Sequence, residues 1–151
     1  DGRLPWKEPQ VQNQVRLLLR PLASLHRLGT SHRDITPRNV FVAKRTGLKL
    51  GDFGLVKSAL HESGVVADAY TAAYKPPAIG KWWAPSDDVY QVGLIAMTLL
   101  AGVPMDNSVT KWDVNELTAS KGQLRAAIKK AISVKSQRFA DAEEMARSLK
   151  K

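Results

Sequence analysis

Two short segments carry the residue types and spacing that phosphoryl transfer needs. The first, residues 32–39, reads HRDITPRN, and the second, residues 52–54, reads DFG. A carboxylate such as Asp34 can accept the proton of a hydroxyl group, while the oxygens of Asn39 and Asp52 can hold Mg²⁺ against phosphates. The sequence therefore predicts a phosphoryl-transfer site in which one carboxylate acts as base and two other side chains bind the metal.

The elements around these segments are predicted from hydrophobic spacing. Apolar residues at helical spacing over residues 11–28 predict an amphipathic helix, which Gly29 ends and Pro21 kinks. Two β-prone runs at 40–42 and 48–50 then predict a hairpin. Because a hairpin returns the chain to its starting point, the residues on either side of it can converge on one site.

The second half of the chain is predicted to be helical. Residues 55–86 show no sustained periodicity, and a loop of that length inside a domain is usually functional or mobile. Residues 87–101 are apolar around most of a helix, which predicts a central core helix. Amphipathic helices are predicted at 124–132 and 141–149, with a weaker one at 114–119. The fold class is therefore mainly α with a small β-hairpin.

The order HRDxxxxN, hairpin and DFG resembles that of the eukaryotic-type protein kinase family. The similarity extends over most of residues 11–149 and implies a kinase C-terminal lobe. It implies Asp34 as catalytic base and Asn39 and Asp52 as ligands of Mg²⁺, or of Mn²⁺ in its place. ATP would be bound through these metal ligands, and Phe53 would pack between the two lobes of a kinase.

Further roles follow from the same resemblance. Residues 71–78 resemble the TxxYxAPE peptide-docking segment, in which Thr71 would bond the catalytic aspartate, and residues 88–93 resemble the DVWSLG opening of the central helix. Arg33 would contact phosphate on the activation segment, and Asp88 would anchor the backbone of the catalytic loop. The residues with implied structural roles are His32, Asp88 and Arg138. The candidate phosphorylation sites are Ser58, Ser63, Tyr70 and Thr71.

Three departures from the family pattern stand out. Thr36 occupies the position where the family has a lysine that neutralises the transferred phosphate. Loss of this cation should weaken transition-state stabilisation unless Arg38 or another group substitutes for it. Ala78 replaces the glutamate that pairs with the buried arginine, so Arg138 must find another acid or solvent. The chain also contains no GxGxxG motif and no assignable strand lysine, so we expect it to bind nucleotide weakly and turn over negligibly by itself.

These patterns predict one kinase C-lobe over residues 1–151. It would comprise a lead-in at 1–9, the catalytic loop, hairpin and DFG at 31–54, an activation and docking segment at 55–86, and a helical subdomain at 87–151. The intact parent would transfer the γ-phosphoryl group of ATP to Ser or Thr of a protein substrate. The alternatives are a pseudokinase or scaffold that binds partners without catalysis and, less favoured, a small-molecule kinase.

Composition constrains the partners. The net charge is +9, with basic residues concentrated at 44–49 and 121–151, where a solvated face is the simplest interpretation and an acidic protein partner the next. Nucleic acid is disfavoured because aromatic stacking residues do not alternate with the charges. No apolar run reaches the ~18 residues of a membrane span, and the absence of Cys permits a cytoplasmic, intracellular location. An apolar face around Phe53 and Trp6 would meet the missing N-lobe or a partner chain.

Overall fold

A computed structural model describes residues 5–51, 72–102 and 122–150. Its described parts consist of helices and one antiparallel hairpin, which confirms the predicted fold class. The elements are α1 (Glu8–Arg27), β1 (Val40–Ala43), β2 (Gly47–Leu50), α2 (Pro85–Ala101), α3 (Gln123–Ala131), a 3₁₀ turn (Lys135–Gln137) and α4 (Ala142–Ser148). None of the helices in these ranges is long and apolar enough to cross a membrane.

Helix α1 forms because its apolar residues repeat at helical spacing and bury one face. The predicted helix is confirmed, and it runs as one element through Pro21, which lies on the exposed side. Gly29, with φ of 78°, follows the helix in the left-handed conformation that favours glycine. The buried face consists of Val11, Val15, Leu18, Leu19, Leu22 and Ala23.

The predicted hairpin is also confirmed, with Val40 opposite Leu50 in antiparallel register. Its turn enters β2 through Gly47, whose φ is 79°. A Cβ atom at Gly47 would collide with the side-chain oxygen of Gln14 in α1. That same oxygen accepts a hydrogen bond from the backbone N–H of Leu48 at 2.8 Å. Glycine therefore lets the hairpin approach α1 closely enough for Gln14 to hold it.

Helix α2 is the centre of the core, and nearly all of its residues are buried. It packs against α1, α3 and α4. The contact with α3 requires Gly93, because a Cβ atom there would lie 2.8 Å from a methyl group of Ile132 and 3.0 Å from Ala131. Gly102, with φ of 80°, ends the helix in the left-handed conformation. The apolar pattern that predicted a central helix is thus confirmed.

The C-terminal helices begin and pack as their sequences predict. Leu124, Ala127 and Ile128 form the buried side of α3. Asp141 caps α4, since its carboxylate accepts a hydrogen bond from the backbone N–H of Glu144 at 2.9 Å. Helix α4 packs mainly against α1, which closes the helical body. The weaker helix predicted at 114–119 lies outside the described residues.

The surroundings of Trp6 differ from the expected exposed face. Its side chain is partly buried against the hydrophobic core, and its backbone N–H donates to the carbonyl oxygen of Leu99 at 2.9 Å. Part of the apolar surface of Trp6 is therefore covered within the chain. Phe53, the other residue assigned to that face, lies outside the described residues.

Candidate active site

Asp34 and Asn39 are brought into direct contact in the loop between α1 and β1. The side-chain Nδ2 of Asn39 donates to Oδ2 of Asp34 at 2.7 Å and to the backbone oxygen of Asp34 at 2.8 Å. These two bonds use both amide hydrogens, which leaves Oδ1 of Asn39 as the atom that can coordinate a cation. Both residues are buried. The loop thus positions a carboxylate and a potential metal ligand together.

His32 links this loop to the end of the hairpin. The backbone N–H of Asp34 donates to its Nδ1 at 3.2 Å, so the ring hydrogen sits on Nε2, which donates to the carbonyl oxygen of Gly51 at 2.8 Å. The N–H of Gly51 donates to the carbonyl oxygen of Asn39 at 2.7 Å. Gly51 immediately precedes Asp52, the second predicted metal ligand, so these bonds fix the chain one residue before it.

Several predicted site residues fall outside the described ranges. They are Asp52, Phe53, Ser58, Ser63, Tyr70 and Thr71. Within those ranges no cluster of three or more His, Asp or Glu side chains can hold a metal ion. The oxygen donors that Asn39 and Asp34 do provide are of the hard type that Mg²⁺ prefers.

Asp88 of α2 organises the backbone of the same loop. Its carboxylate accepts four hydrogen bonds, from the backbone N–H groups of His32 at 2.8 Å and Arg33 at 2.9 Å, from Nε1 of Trp83 at 2.9 Å and from Nε2 of His26 at 2.8 Å. A carboxylate offers about four such acceptor positions. Because Asp88 has no exposed surface, these four donors take the place of water around its charge.

Arg33 adopts a backbone conformation that needs this support. Its φ is 74°, in the left-handed region that is unfavourable for a residue with a Cβ atom. Such a conformation costs on the order of 1–3 kcal/mol. The hydrogen bond from its N–H to Asp88 holds the backbone there, while the side chain stays exposed. The guanidinium group is therefore presented outward on a rigid backbone.

His26 is a member of this network that the sequence did not reveal. A lone histidine at this position of the sequence predicts a surface or satisfied helical residue rather than a ligand. Its side chain is almost fully buried, and its Nδ1 accepts a hydrogen bond from the N–H of Ala142 at 3.1 Å, so its Nε2 donates to Asp88. His26 is therefore a satisfied helical residue. It also connects the start of α4 to the carboxylate of Asp88, which holds the loop between α1 and β1. No local pattern signals a contact between residues so far apart in sequence.

Thr36, the first departure from the family pattern, is built into the loop. Its side chain is buried, its N–H donates to the carbonyl oxygen of Asp34 at 3.2 Å and its carbonyl oxygen accepts from the N–H of Asn39 at 2.9 Å. Its backbone thus contributes to the turn that brings these two residues together. Arg38, the residue considered as a substitute cation, has an exposed side chain.

Arg138 finds its acid in Asp87, which is one of the two outcomes expected when Ala78 replaces a glutamate. Nη1 of Arg138 lies 3.1 Å from Oδ1 of Asp87 with both side chains fully buried, and its Nε donates to the carbonyl oxygen of Ser133 at 2.8 Å. Lys135 adds a second cation, 3.0 Å from the other oxygen of Asp87. Ala78 is exposed and has φ of 53°. The buried acid therefore comes from the central helix.

Trp82 and Trp83 directly precede α2, a position that predicts core or lobe-packing anchors, with a peptide-docking surface as the alternative. The structure separates the two side chains. Trp83 is partly buried and donates to Asp88, as described above. Trp82 is 76% exposed, with the ammonium group of Lys81 5.5 Å from its ring centre. Trp82 is therefore not a core residue, and its exposed ring agrees with packing against a second lobe or a docked peptide.

Comparison with known proteins agrees with this geometry. A family model described as the protein kinase domain matches residues 2–151. Serine/threonine-protein kinases drp72 of Corynebacterium efficiens is 34% identical over 145 residues, covering 85% of this chain and 28% of that protein. Serine/threonine-protein kinase PknL of Mycobacterium tuberculosis is 38% identical over 104 residues, covering 62% of this chain and 26% of that protein.

A fungal relative shows the same partial overlap. Mitogen-activated protein kinase HOG1 of Exserohilum turcicum is 31% identical over 104 residues, covering 67% of this chain and 31% of that protein. The chain thus spans between about a quarter and a third of the length of these curated relatives. Given a family match over almost all of its residues and the loop that joins Asp34 to Asn39, the chain belongs to the protein kinase domain family.

Proposed function

We propose that the protein to which this chain belongs transfers the γ-phosphoryl group of ATP to serine or threonine hydroxyls of proteins. The observation that carries this proposal is the 2.7 Å hydrogen bond between Asn39 and the carboxylate of Asp34. It places a potential base and a potential metal ligand in one buried loop. The printed names of drp72 and PknL, both serine/threonine-protein kinases, support the choice of acceptor.

In this proposal Asp34 accepts the proton of the substrate hydroxyl. Asn39 donates to Oδ2 and so restricts the rotation of the carboxylate that would receive the proton. The loop is held in this conformation because the backbone N–H groups of His32 and Arg33 both donate to the carboxylate of Asp88. Positioning of this kind is most of what a protein contributes to phosphoryl transfer.

Asn39 through its Oδ1, together with Asp52, would hold Mg²⁺. The bound ion neutralises charge on the phosphate oxygens. His32 contributes indirectly, because its bond to Gly51 fixes the chain immediately before Asp52. Thr71 would brace Asp34, and Arg33, which is exposed, would read phosphate added to the activation segment.

The domain limits and the behaviour of the isolated segment are part of the same proposal. Residues 31–54 would form the catalytic part, residues 55–86 the activation and docking segment, and residues 87–151 the helical subdomain. These 151 residues alone would transfer phosphate very slowly, because no residue among them supplies the GxGxxG loop that orients ATP phosphates.

A scaffold without catalysis is the second candidate, and Thr36 is the observation that favours it. The side chain at this position is buried and carries no charge, so it cannot neutralise the transferred phosphate. A scaffold would retain the same fold and bind a protein partner. The two candidates differ in whether phosphate moves.

The test is Mg²⁺-ATP phosphotransfer to a generic acceptor protein by the longest natural chain that contains these residues. Replacing Asp34 with asparagine removes the base and should lower the rate by about 10²- to 10⁴-fold. Glu143→Gln is the matched control, because Glu143 forms only partly exposed ion pairs on α4 and should keep the wild-type rate. Analysis of the phosphorylated residue would separate Ser/Thr from Tyr transfer. No phosphotransfer by the wild-type chain, with folding and partner binding retained, would support the scaffold.

A further inference from the structure

Gln91 of α2 is a buried side chain that bonds two separate segments of the site. Its Oε1 accepts a hydrogen bond from the backbone N–H of Ile35 at 2.9 Å. Its Nε2 donates to the backbone carbonyl oxygen of Tyr74 at 3.1 Å. Only 2% of Gln91 is exposed, so neither bond is easily replaced by water. One primary amide thus satisfies a buried donor and a buried acceptor at the same time.

The two segments have different tasks in the proposed reaction. Ile35 directly follows Asp34, so the bond to its N–H fixes the catalytic loop on the chemical side of the site. Tyr74 belongs to residues 71–78, the segment that resembles the peptide-docking region. Tyr74 is itself fully buried, and its hydroxyl group is bonded to Thr98, also on α2. Helix α2 therefore supports both segments, and Gln91 is the side chain that contacts both.

The residue at position 91 departs from the family pattern. The family pattern DVWSLG has serine where this sequence has glutamine. A serine hydroxyl sits close to the backbone and has a single hydrogen, whereas an amide extends further and carries a donor and an acceptor on separate atoms. The bridge from Ile35 to Tyr74 therefore depends on the glutamine.

We propose that Gln91 is a positioning residue that sets the distance between the catalytic loop and the peptide-docking segment, and thereby the affinity for the protein substrate. This inference rests on the proposed kinase function. It does not make Gln91 a catalytic residue, because the side chain bonds only to protein backbone. Loss of the amide frees the docking segment from the loop, so a bound hydroxyl is no longer held at a fixed place relative to Asp34.

The test compares Gln91→Met with wild type in the same full-length chain. Methionine has similar length and no amide, so it removes both hydrogen bonds. The KM for the protein acceptor should rise by about tenfold, the scale expected from one or two lost hydrogen bonds, while the KM for ATP stays within about twofold. Amide hydrogen exchange should accelerate at Ile35 and in residues 72–78. A merely structural role would lower the amount of active protein without changing the KM for the acceptor.

The matched control is Gln12→Met. Gln12 also donates through its Nε2 to Gln123 at 3.3 Å and to the carbonyl oxygen of Leu149 at 3.4 Å, away from the loop and the docking segment. The Gln12→Met variant should leave unchanged the KM for the acceptor, the KM for ATP and the exchange rates of Ile35 and residues 72–78. If Gln91→Met does not fold, Gln91→Asn replaces it, since its shorter amide keeps polarity but cannot reach both partners.

The outcomes separate this inference from the proposed function. Unchanged exchange at Ile35 and in residues 72–78 in the Gln91 variant, or an unchanged KM for the acceptor in an active enzyme, would overturn the positioning role. Absence of phosphotransfer in wild type would instead overturn the proposed function and the effect on substrate affinity. The exchange rates would then still show whether Gln91 holds the two segments together.

Discussion

Asp87 and Asp88 are adjacent on α2 and both are fully buried, yet their carboxylates stabilise different parts of the molecule. Asp88 accepts hydrogen bonds from the catalytic loop, including two backbone N–H groups. Asp87 faces the C-terminal part of the chain, where it pairs with Arg138 and Lys135. Successive residues of a helix point about 100° apart, so neighbours can serve separate regions.

The two sites differ in what balances the buried charge. Around Asp88 the partners are directional N–H donors that fix a backbone conformation, including the left-handed one at Arg33. Around Asp87 the partners are two cations and the backbone N–H of Ala84, 2.8 Å away. The first carboxylate therefore determines the shape of a loop, and the second neutralises an arginine that the fold has buried. Substitutions at the two positions should separate these effects.

The largest effect is expected from Asp88→Ala. Four N–H donors would lose their acceptor and Arg33 would lose the bond that holds its strained backbone, so the free energy of unfolding should fall by about 5 kcal/mol. Phosphotransfer should fall at least about 10²-fold in the protein that remains folded. Urea denaturation and amide hydrogen exchange at His32 and Arg33 measure the two effects. Slow exchange at these two amides in the variant would contradict the role assigned to Asp88.

A smaller and differently located effect is expected from Asp87→Ala. Arg138 would remain buried without its carboxylate, and the free energy of unfolding should fall by about 3 kcal/mol. Exchange at the amides of His32 and Arg33 should not change, which distinguishes this variant from Asp88→Ala. Adding Arg138→Met should restore much of the stability, because the unpaired charge is then removed as well. A double variant as unstable as the sum of the two single ones would show that charge pairing is not the reason.

The smallest effect concerns Tyr90, whose ring lies 4.7 Å from the guanidinium carbon of Arg138 on the Asp87 side. Burial raises the pKa of Tyr90 above its ordinary value of 10.0, while the nearby positive charge of Arg138 acts in the lowering direction. The folded state therefore holds the phenolic proton more tightly than the unfolded state does. The resulting stability is fully present below the unfolded pKa of about 10 and is lost as the pH rises through the folded value.

Tyr90→Phe should therefore lose less stability than wild type when the pH is raised above about 10. Urea denaturation of both proteins at neutral and alkaline pH measures the difference, and the absorbance of the phenolate form reports the ionisation directly. An identical alkaline loss of stability in both proteins would mean that Tyr90 does not contribute to it. The paired measurement at neutral pH is the control, because the phenol is protonated there in both states.

The sequence predicted the parts of the structure that depend on local spacing. Helical periodicity located α1, α2 and α3, and the aspartate before α4 was correctly interpreted as part of a helix start. The hairpin followed from two β-prone runs around a glycine, which the turn at Gly47 requires. Asp34 and Asn39 were predicted as members of one site, and they are hydrogen-bonded to each other.

The contacts that hold the site together depended on residues far apart in sequence. His26 bonds to partners 62 and 116 positions away, and Gln91 bridges partners 56 and 17 positions away. Hydrophobic periodicity says that such residues face inward, but not which polar group they meet there. The sequence also did not show that Trp82 would be exposed beside the partly buried Trp83, because residue type alone does not say which of two adjacent aromatic residues faces inward.

The sequence by itself thus determined the fold class and the residue types of the loop, because helix, strand and turn preferences act between neighbours along the chain. Only the tertiary structure decided that Asp87 would replace a missing glutamate as the partner of Arg138, and that His26 would be a partner of Asp88. A buried polar group is stabilised by whatever donor or acceptor the packing brings within hydrogen-bond distance. That pairing is a property of the packed helices and not of any single segment.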